Sequence, residues 1–576
     1  MTNLIERIGN TYDEVPYTSH AFRLSAPEHL ASVAHLFGLD APAIEHARVL
    51  ELGCASGGNL IPFAIRHPQA QVVGIDLSPV QIEAGRRAVD AMGLQNVRLL
   101  QGNIADLDAS LGTFDYIVCH GVYSWVPDEV REATLRICGA LLSPDGIAYV
   151  SYNTYPGWKT KEVVRDAMLL RGGARASAGE RLAYARGMIE FLHEMAPSDS
   201  LLAKVIENDL QTVREGADHY LAHEYLELCN APCYFRDFVG AARAHGLDYL
   251  GEAAVAAMFA SNYGNAAEPL RNECGGDQVA LEQLIDFLCN RTFRQTLLVR
   301  AERADAIRYR LDGNRIAQLH IAGRYRSVDG DDTQWRYLDG EQTVRATTEP
   351  TLRTIAALNA AWPATVSVQA LLDAQPEEAD RVLGFVNALI VGNAVMFRRE
   401  PVSATASTER PEARAEVRTL AGLADVPVAL FNEWHNAVWP DTLQRFLLQR
   451  LDGQRDVTQL ADAVVAAIGE GVLTLLRNDQ QVDAADDIAA SARALTASAL
   501  HWIEANALLM PAGSAGTPPK VAKAPSKAKA EGTPAAKPKT AKSPKPAASA
   551  DAKPAKPAKP AKPAKPAGRK SPARPK

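Results

Sequence analysis

The first 160 residues alternate between short, continuous apolar runs and segments in which apolar side chains recur every three or four positions. The runs begin near residues 47, 71, 97, 114 and 147, and runs of this length are typical of strands buried on both faces. Because these strands alternate with amphipathic helices, the pattern predicts a doubly wound α/β sheet. A turn is predicted at 144–146, the Pro-Asp-Gly before the fifth strand.

Beyond residue 175 the apolar positions follow helical spacing. Residues 180–195 and 281–300 both place apolar side chains every three or four residues, which predicts a mostly helical region. Two later segments, 304–400 and 416–512, each combine a Trp-Pro pair, an amphipathic segment and a final apolar helix. This order predicts two winged-helix-like modules, interpreted as a weak internal duplication and joined by a linker at 401–415.

The C-terminal 64 residues, 513–576, are almost entirely Ala, Lys, Pro, Ser and Thr. Such a composition cannot form a core, so a disordered tail is predicted. From Lys520 onward the chain carries a net charge of +15, whereas the preceding residues carry −22 and hold only three lysines. Two interpretations of the tail remain open: an arm that contacts nucleic acid or another polyanion, and a tail that only aids solubility.

Other compositional features limit the class of protein. The seven cysteines include no CxxC pair, which argues against a disulfide framework or a structural zinc site. No run of about eighteen apolar residues occurs, and the N-terminus has no apolar core typical of a signal peptide. A cytoplasmic protein without a membrane span is therefore expected.

Candidate ligand-binding residues lie between the ends of the first two predicted strands. The first strand ends at Glu51 and leads into a loop that contains Gly53, Ala55 and Gly57. A dinucleotide fingerprint needs glycine at the position of Ala55, so that the backbone can approach a pyrophosphate. Glu51 suits a ligand that carries an ammonium group, and Asp76 at the end of the second strand is placed to accept hydrogen bonds from ribose hydroxyls.

The spacing acidic-x-Gly-x-x-x-Gly is the loop seen around S-adenosylmethionine. The next two strands lead to Asn103 and Ile104, where adenine would lie, and to His120, while Leu77 follows the ribose-binding position. With these features, residues 40–160 resemble the class I S-adenosylmethionine-dependent methyltransferases, which implies a Rossmann-like domain. The family usually has aspartate at position 103, and asparagine can accept the same bond from the adenine amino group. The resemblance places His120 beside the methionine part of the cofactor.

A narrower resemblance rests on the N-terminal segment YDEVPYTSHAFRLSAPEHL, on SYNTYPGW after the fifth strand, and on DFLCNRTFRQTLLV near residue 286. These motifs look like the bacterial methyltransferases that carry a methyltransferase regulatory domain. Some relatives, including rickettsial ones, are protein-lysine methyltransferases with winged-helix-like C-terminal modules. The resemblance therefore implies S-adenosyl-L-methionine as the cofactor. Its motifs are specific for the family and not for the substrate, so a protein substrate is a hypothesis. Transfer from an activated sulfonium requires no metal. Tyr17 is predicted to lie in an N-terminal lid over the cofactor, and a packing role is the open alternative.

Aromatic and amide side chains follow the fourth and fifth strands, at the edge where open α/β sheets bind ligands. Tyr123, Trp125, Asn153 and Tyr155 are therefore the catalytic candidates, expected to steer an acceptor amine. Packing of the rings against neighbouring helices remains open as the alternative. Asn153 is equally suited to hold its loop in an Asx-turn.

These observations predict five units: a methyltransferase domain with a lid (1–172), a helical regulatory domain (173–303), two winged-helix-like modules (304–400 and 416–512) and the tail (513–576). The first hypothesis is an enzyme that N-methylates protein lysine by direct in-line transfer. A small-molecule methyltransferase is the alternative. A third hypothesis is a protein that binds polyanions and is not an enzyme. In this case the methyltransferase fold is a cofactor-gated module. A homodimer is compatible with the sequence.

Overall fold

The structure is a computed structural model. It describes residues 5–511 except for residues 6, 10–12, 14–16, 174, 176, 217, 265–266, 403, 405–408, 475, 478–479 and 482–484. The predicted tail, 513–576, lies outside the described residues. No helix in the described part of the chain is long and apolar enough to span a membrane.

A central sheet of seven strands, counted over the described residues, organises the fold. The strands are β1 (Arg48–Leu52), β2 (Gln71–Asp76), β3 (Val97–Gln101), β4 (Phe114–Cys119), β5 (Leu142–Asn153), β6 (Leu247–Glu252) and β7 (Phe293–Arg300). Their order is β3-β2-β1-β4-β5-β7-β6, and β1 to β5 are parallel. The predicted doubly wound α/β class is confirmed.

The crossover helices of this sheet have local sequence signals at their ends. The helices of the N-terminal part are α1 (Pro27–Leu36), α2 (Ile61–Arg66), α3 (Pro79–Met92) and α4 (Asp128–Leu141). In α3 the hydroxyl of Ser78 accepts a hydrogen bond from the Gln81 N–H at 3.1 Å, which caps the first turn. Gly93, with φ of +71°, ends the helix in the left-handed conformation that glycine adopts without strain.

The predicted turn at 144–146 is a bulge inside β5. Phe114 pairs with Leu142, but Tyr116 pairs with Ile147, so the intervening residues loop out of register. A bulge of this kind lets the strand resume pairing after a proline that cannot donate to the ladder.

Helices follow the sheet from residue 158 onward. They are α5 (Trp158–Gly172), α6 (Ala178–Met195), α7 (Leu201–Glu215), α8 (Asp218–Tyr225), α9 (Phe235–Ala244), α10 (Ala267–Glu273) and α11 (Gln278–Leu288). The first four pack around a separate apolar cluster that includes Met168, Ile189 and Leu221. The predicted helical character of this region is therefore observed for most of its length.

Two strands of the central sheet also come from this region. Apolar residues at helical spacing extend over 281–300, but the helix ends at Leu288. Strand β7 begins at Phe293 and pairs antiparallel with both β5 and β6. Short apolar runs fit a helix or a buried strand equally well, and only the pairing partner decides between them. The predicted helical unit thus contributes two strands to the sheet that positions the site.

The first C-terminal module joins short strands and helices. It contains α12 (Gly313–Ala317), β8 (His320–Ala322), β9 (Tyr325–Val328), β10 (Asp331–Tyr337), β11 (Thr343–Arg345), α13 (Glu349–Ala361), β12 (Val366–Ser367), α14 (Val368–Asp373), α15 (Ala379–Val391) and β13 (Met396–Arg398). Strand β8 lies between β12 and β13. In the predicted linker that follows, Val402 and Ala404 are buried, so this part packs against the fold. Residues 403 and 405–408 of the linker lie outside the described residues.

The second C-terminal module is mainly helical with two short hairpins. It contains α16 (Ala415–Gly422), β14 (Leu430–Phe431), β15 (Ala437–Val438), α17 (Thr442–Leu448), α18 (Val457–Gly469), β16 (Leu476–Arg477), β17 (Gln480–Gln481) and α19 (Ala485–Ala505). Strands β14 and β15 are antiparallel and are joined by a tight loop at 432–436. This loop lies next to the site described below.

The two modules resemble each other only in part. Each final helix is followed by a residue of positive φ, Asn393 (54°) and Ala507 (55°), before an apolar segment. The two Trp-Pro pairs have different surroundings. Trp362 stacks on Trp434 with ring centroids 6.3 Å apart, whereas Trp439 is 63% exposed. The interpretation as an internal duplication stays a prediction.

Candidate functional site: a cofactor pocket and its acceptor end

A cavity of about 400 Å³ lies at the carboxyl ends of the parallel strands. This volume falls within the range of about 300–1,000 Å³ that small-molecule and cofactor sites usually have. Its lining combines the loops after β1, β2, β3 and β4 with the N-terminal segment and with residues of α5 and α8. The parallel topology explains the position, because all these loops leave the sheet at the same edge.

The loop after β1 curves around the cavity through three residues of positive φ: Gly53 (78°), Ala55 (47°) and Gly57 (79°). A Cβ atom on Gly53 would lie 2.3 Å from Cγ2 of Val122, so only glycine fits there. Gly57 is not among the residues that line the cavity. A Cβ atom on it would meet Leu99 at 3.3 Å, so Gly57 packs closely against β3, and its cofactor contact stays a prediction.

Asp76 ends β2 and faces the loop after β1. Its carboxylate accepts hydrogen bonds from the N–H of Ala55 at 2.8 Å and from the N–H of Ser78 at 2.9 Å. Burial raises the pKa of Asp76, and these N–H groups oppose that rise. The carboxylate therefore links the loop after β1 to the loop after β2. Asp76 also lines the cavity, as its predicted contact with ribose hydroxyls requires.

Glu51 is a buried carboxyl group in the cavity wall. Its Oε1 atom accepts a hydrogen bond from the side-chain amide of Asn59 at 2.8 Å, while its Oε2 atom has no hydrogen-bond partner. Burial raises the pKa of Glu51 to about 8, because little compensates the ionised form. An unpartnered carboxylate oxygen in a residue of the cavity wall fits a ligand that carries an ammonium group, as S-adenosylmethionine does.

The remaining predicted cofactor residues also lie along the cavity: Tyr17, Ala55, Leu77, Asn103, Ile104 and His120. The amide oxygen of Asn103 accepts a hydrogen bond from the N–H of Ala105 at 3.0 Å and so caps a short turn. His120 lies against the ring of Phe22 and within 2.8 Å of the Tyr149 hydroxyl. Burial lowers the pKa of His120 to about 3, so this ring is neutral.

The catalytic candidates divide into two pairs. Trp125 and Asn153 line the cavity, whereas Tyr123 and Tyr155 do not. The ring of Tyr123 is buried among other aromatic rings, and the hydroxyl of Tyr155 donates to Glu162 at 2.6 Å. Tyr123 lies in the turn after β4, and Tyr155 lies in the loop between β5 and α5. Neither ring lines the cavity, so their catalytic roles stay predictions.

The structure adds residues to the site that sequence reasoning missed. Lys161 of α5, Tyr220 and Glu224 of α8, and Phe293 of β7 line the cavity. The helical spacing of Trp158 and Lys161 was a usable signal, since side chains three residues apart share one face of a helix. The others come from elements far along the chain, and no local pattern marks them.

Three family models match the chain. One is described as a methyltransferase domain and matches residues 49–146, and one is described as a predicted methyltransferase regulatory domain and matches 217–300. The third, described as a PKMT C-terminal winged helix domain, matches 409–508. The matched ranges correspond to the parallel sheet, to the region that supplies α8, β6 and β7, and to the second C-terminal module.

Two proteins of similar sequence are also found, and one of them matches most of the chain. An uncharacterised protein of Rickettsia prowazekii is 32% identical over 527 residues, which cover 87% of this chain and 94% of that protein. A second uncharacterised protein of the same organism is 39% identical over 230 residues, which cover 40% of this chain and 92% of that protein. The solved structure of PKMT2 from Rickettsia typhi in complex with AdoHcy is similar, with a TM-score of 0.75 and 28% identity. The match covers 86% of this chain and 100% of that chain.

The bound molecule in that relative, AdoHcy, is what S-adenosylmethionine becomes after giving up its methyl group. In this chain, the loop after β1, the carboxylate of Asp76 and the free oxygen of Glu51 form a pocket suited to the same cofactor. The chain therefore belongs to the class I S-adenosylmethionine-dependent methyltransferases of the rickettsial PKMT type, with a regulatory domain and a C-terminal winged helix.

Proposed function

We propose that the enzyme methylates the side-chain amine of lysine in a protein substrate. The observation that carries this proposal is the environment of Lys161, a lysine of the chain itself that lines the cavity. Its Nζ atom lies 3.3 Å from the carboxylate of Glu224 and 5.4 Å from the ring centroid of Trp158. A carboxylate next to an aromatic face is a suitable environment for an ammonium group.

The same groups would attract the ammonium of a substrate lysine into the cavity. When bound, S-adenosylmethionine supplies a methyl group on a positively charged sulfur. A free lysine amine has a pKa of about 10.4, so its deprotonation near neutral pH costs about 4 kcal/mol. Burial of the amine against Trp158 and Phe293 lowers that cost, because an apolar wall disfavours the charged form. Asn153 also lines the cavity, and in this proposal its amide orients the amine.

The relatives support the same acceptor. PKMT denotes a protein-lysine methyltransferase, and both the matched winged-helix domain and the similar solved structure carry that name. The extent of the resemblance, 86% of this chain, includes the regions outside the methyltransferase sheet. Regions shared at this length favour a macromolecular acceptor over a small molecule.

Mass spectrometry tests the proposal directly. The full-length protein and a form that ends at residue 512 are incubated with S-adenosylmethionine and with lysate from a source poor in lysine methylation. We expect increments of one or more methyl groups on lysines of lysate proteins. If the cofactor is bound and consumed but no protein gains mass, the acceptor is a small molecule and the proposal is wrong. The same spectra show whether lysines of the tail gain methyl groups, which would identify the tail as a further acceptor.

Substitutions of Glu224 and Lys161 should change the KM for a lysine-containing peptide. Glu224→Gln is expected to raise that KM about tenfold, because it removes the charge that attracts the substrate ammonium. Lys161→Met is expected to lower it about threefold, because the internal lysine no longer competes for Glu224. Steady-state kinetics at saturating cofactor measure both effects.

Glu162→Gln serves as the matched control on the same helix. Glu162 accepts a hydrogen bond from the hydroxyl of Tyr155 and does not line the cavity, so the peptide KM should stay unchanged in this variant. An unchanged peptide KM in both Glu224→Gln and Lys161→Met would show that the acceptor lysine binds elsewhere.

A further inference from the structure

A loop of the C-terminal winged-helix module reaches the wall of the cofactor pocket. Residues 432–436 join β14 to β15, and the side-chain oxygen of Asn432 accepts hydrogen bonds from the N–H groups of Trp434 at 3.0 Å and Asn436 at 2.9 Å. Within this loop His435 has a φ of 59° and is fully buried. The loop thus holds one imidazole ring in a fixed position.

The hydrogen bonds of this ring define its protonation. Nδ1 of His435 lies 2.8 Å from Nη2 of Arg66, and Nε2 lies 2.9 Å from Oδ1 of Asn59. Because a guanidinium can only donate, Nδ1 must be the acceptor, and the single ring proton is on Nε2. Burial and the neighbouring Arg66 hold the pKa of His435 well below its usual value, in agreement with a neutral ring. The Nε2–H therefore donates to Asn59.

Asn59 connects His435 to the carboxylate of Glu51 through hydrogen bonds. Its Oδ1 atom also accepts from the N–H of Phe22 at 3.0 Å, so the oxygen end of the amide faces these donors. The nitrogen end then donates to Oε1 of Glu51 at 2.8 Å, which leaves Oε2 of Glu51 without a partner. A continuous chain of hydrogen bonds therefore connects the winged-helix loop to Oε1 of Glu51, a residue that lines the cavity.

We infer that His435 is a positioning residue for cofactor binding, and that the C-terminal module orients Glu51 toward the ammonium group of the cofactor through Asn59. The module also pairs with the N-terminal segment that lines the pocket. The N–H of Ser19 donates to the carbonyl of Pro427 at 2.8 Å, and the hydroxyl of Ser19 accepts from the N–H of Gly58 at 2.8 Å. The second C-terminal module therefore reaches the segment after β1 at two points: His435 contacts Asn59, and Pro427 contacts Gly58 by way of Ser19.

This inference concerns the cofactor and holds for any methyl acceptor. It predicts that cofactor affinity depends on a residue of the winged-helix module, and that the dependence is confined to ligands with an amino-acid group. S-adenosylhomocysteine carries that group, and 5′-methylthioadenosine lacks it while keeping the adenosine and the sulfur. A residue with only a general structural role would change the affinity of both ligands or of neither.

Isothermal titration calorimetry of the full-length protein with these two ligands tests the inference. His435→Asn removes the donor to Asn59, and we expect it to weaken S-adenosylhomocysteine binding about tenfold and 5′-methylthioadenosine binding less than about twofold. His435→Gln places an amide N–H near the position of Nε2, and it should restore most of the affinity for S-adenosylhomocysteine. Asn59→Leu breaks the same chain from the methyltransferase side and should show the same selectivity between the ligands.

The control is His501→Asn on the exposed face of α19, which should leave both affinities unchanged. Thermal unfolding of each variant establishes that it is folded. Equal losses for the two ligands in His435→Asn and Asn59→Leu would overturn the inference. An unchanged affinity for S-adenosylhomocysteine in either folded variant, or no recovery in His435→Gln, would overturn it as well.

Discussion

Replacing Asp76 by alanine is expected to weaken S-adenosylhomocysteine binding by at least about 100-fold while the chain remains folded. The carboxylate lines the cavity at the end of β2, where it is placed to accept two ribose hydroxyls, and each hydrogen bond to a charged group contributes about 1.5–3 kcal/mol. The substitution also frees the N–H of Ala55 and so loosens the loop after β1. Isothermal titration calorimetry measures the affinity, and circular dichroism checks the fold.

Asp90→Ala is the matched control, because Asp90 is exposed on α3, the helix that follows β2. That variant should bind the ligand like the unmodified protein. Unchanged affinity in folded Asp76→Ala would mean that the ribose lies elsewhere and that the assignment of the second strand to the cofactor site is wrong.

Glu51→Gln is expected to have opposite effects on stability and on binding. Burial raises the pKa of Glu51 from 4.5 to about 8, so between these values the folded protein holds a proton that the unfolded chain releases. The contribution of Glu51 to the free energy of unfolding therefore falls as pH rises from about 4.5 to 8, by up to about 1.4 kcal/mol per pH unit. Glutamine removes this dependence, and the ligand-free variant should become more stable than the parent as pH approaches 8.

The same substitution should weaken S-adenosylhomocysteine binding by about 10- to 100-fold, since the charged partner of the ligand ammonium is lost. Thermal unfolding at several pH values, with and without the ligand, measures both effects. Glu45→Gln at an exposed position before β1 is the control. The assignment of Glu51 would be contradicted by a variant that binds normally or whose stability advantage shrinks as pH rises.

The sequence alone was sufficient to predict most of the residues that line the cavity at the ends of β1, β2 and β3. Apolar runs that end in Glu51 and Asp76, with glycines between them, identify strands and the loop after β1, because these features are local. In a parallel sheet the ends of successive strands meet at one edge, so the expected neighbourhood of these residues followed from topology. Sequence reasoning also placed Trp125 and Asn153 at this edge, and both line the cavity.

Side-chain direction was harder to predict. Tyr123 and Trp125 are two residues apart in a short turn, yet only Trp125 faces the cavity. After β5 the same holds for Asn153 and Tyr155. The residues leave the regular strand at these points, so the alternation that fixes direction within a strand no longer applies.

The sequence by itself determined the fold class, the cofactor loop and the order of the modules, because each depends on residues close together in the chain. Only the tertiary structure decided which distant elements complete the site. His435 contacts Asn59 across 376 residues, Glu224 and Lys161 meet through two separate helices, and β7 joins the sheet at β5. Periodicity shows which face of an element is buried but not which partner buries it, and that choice depends on packing of the whole chain.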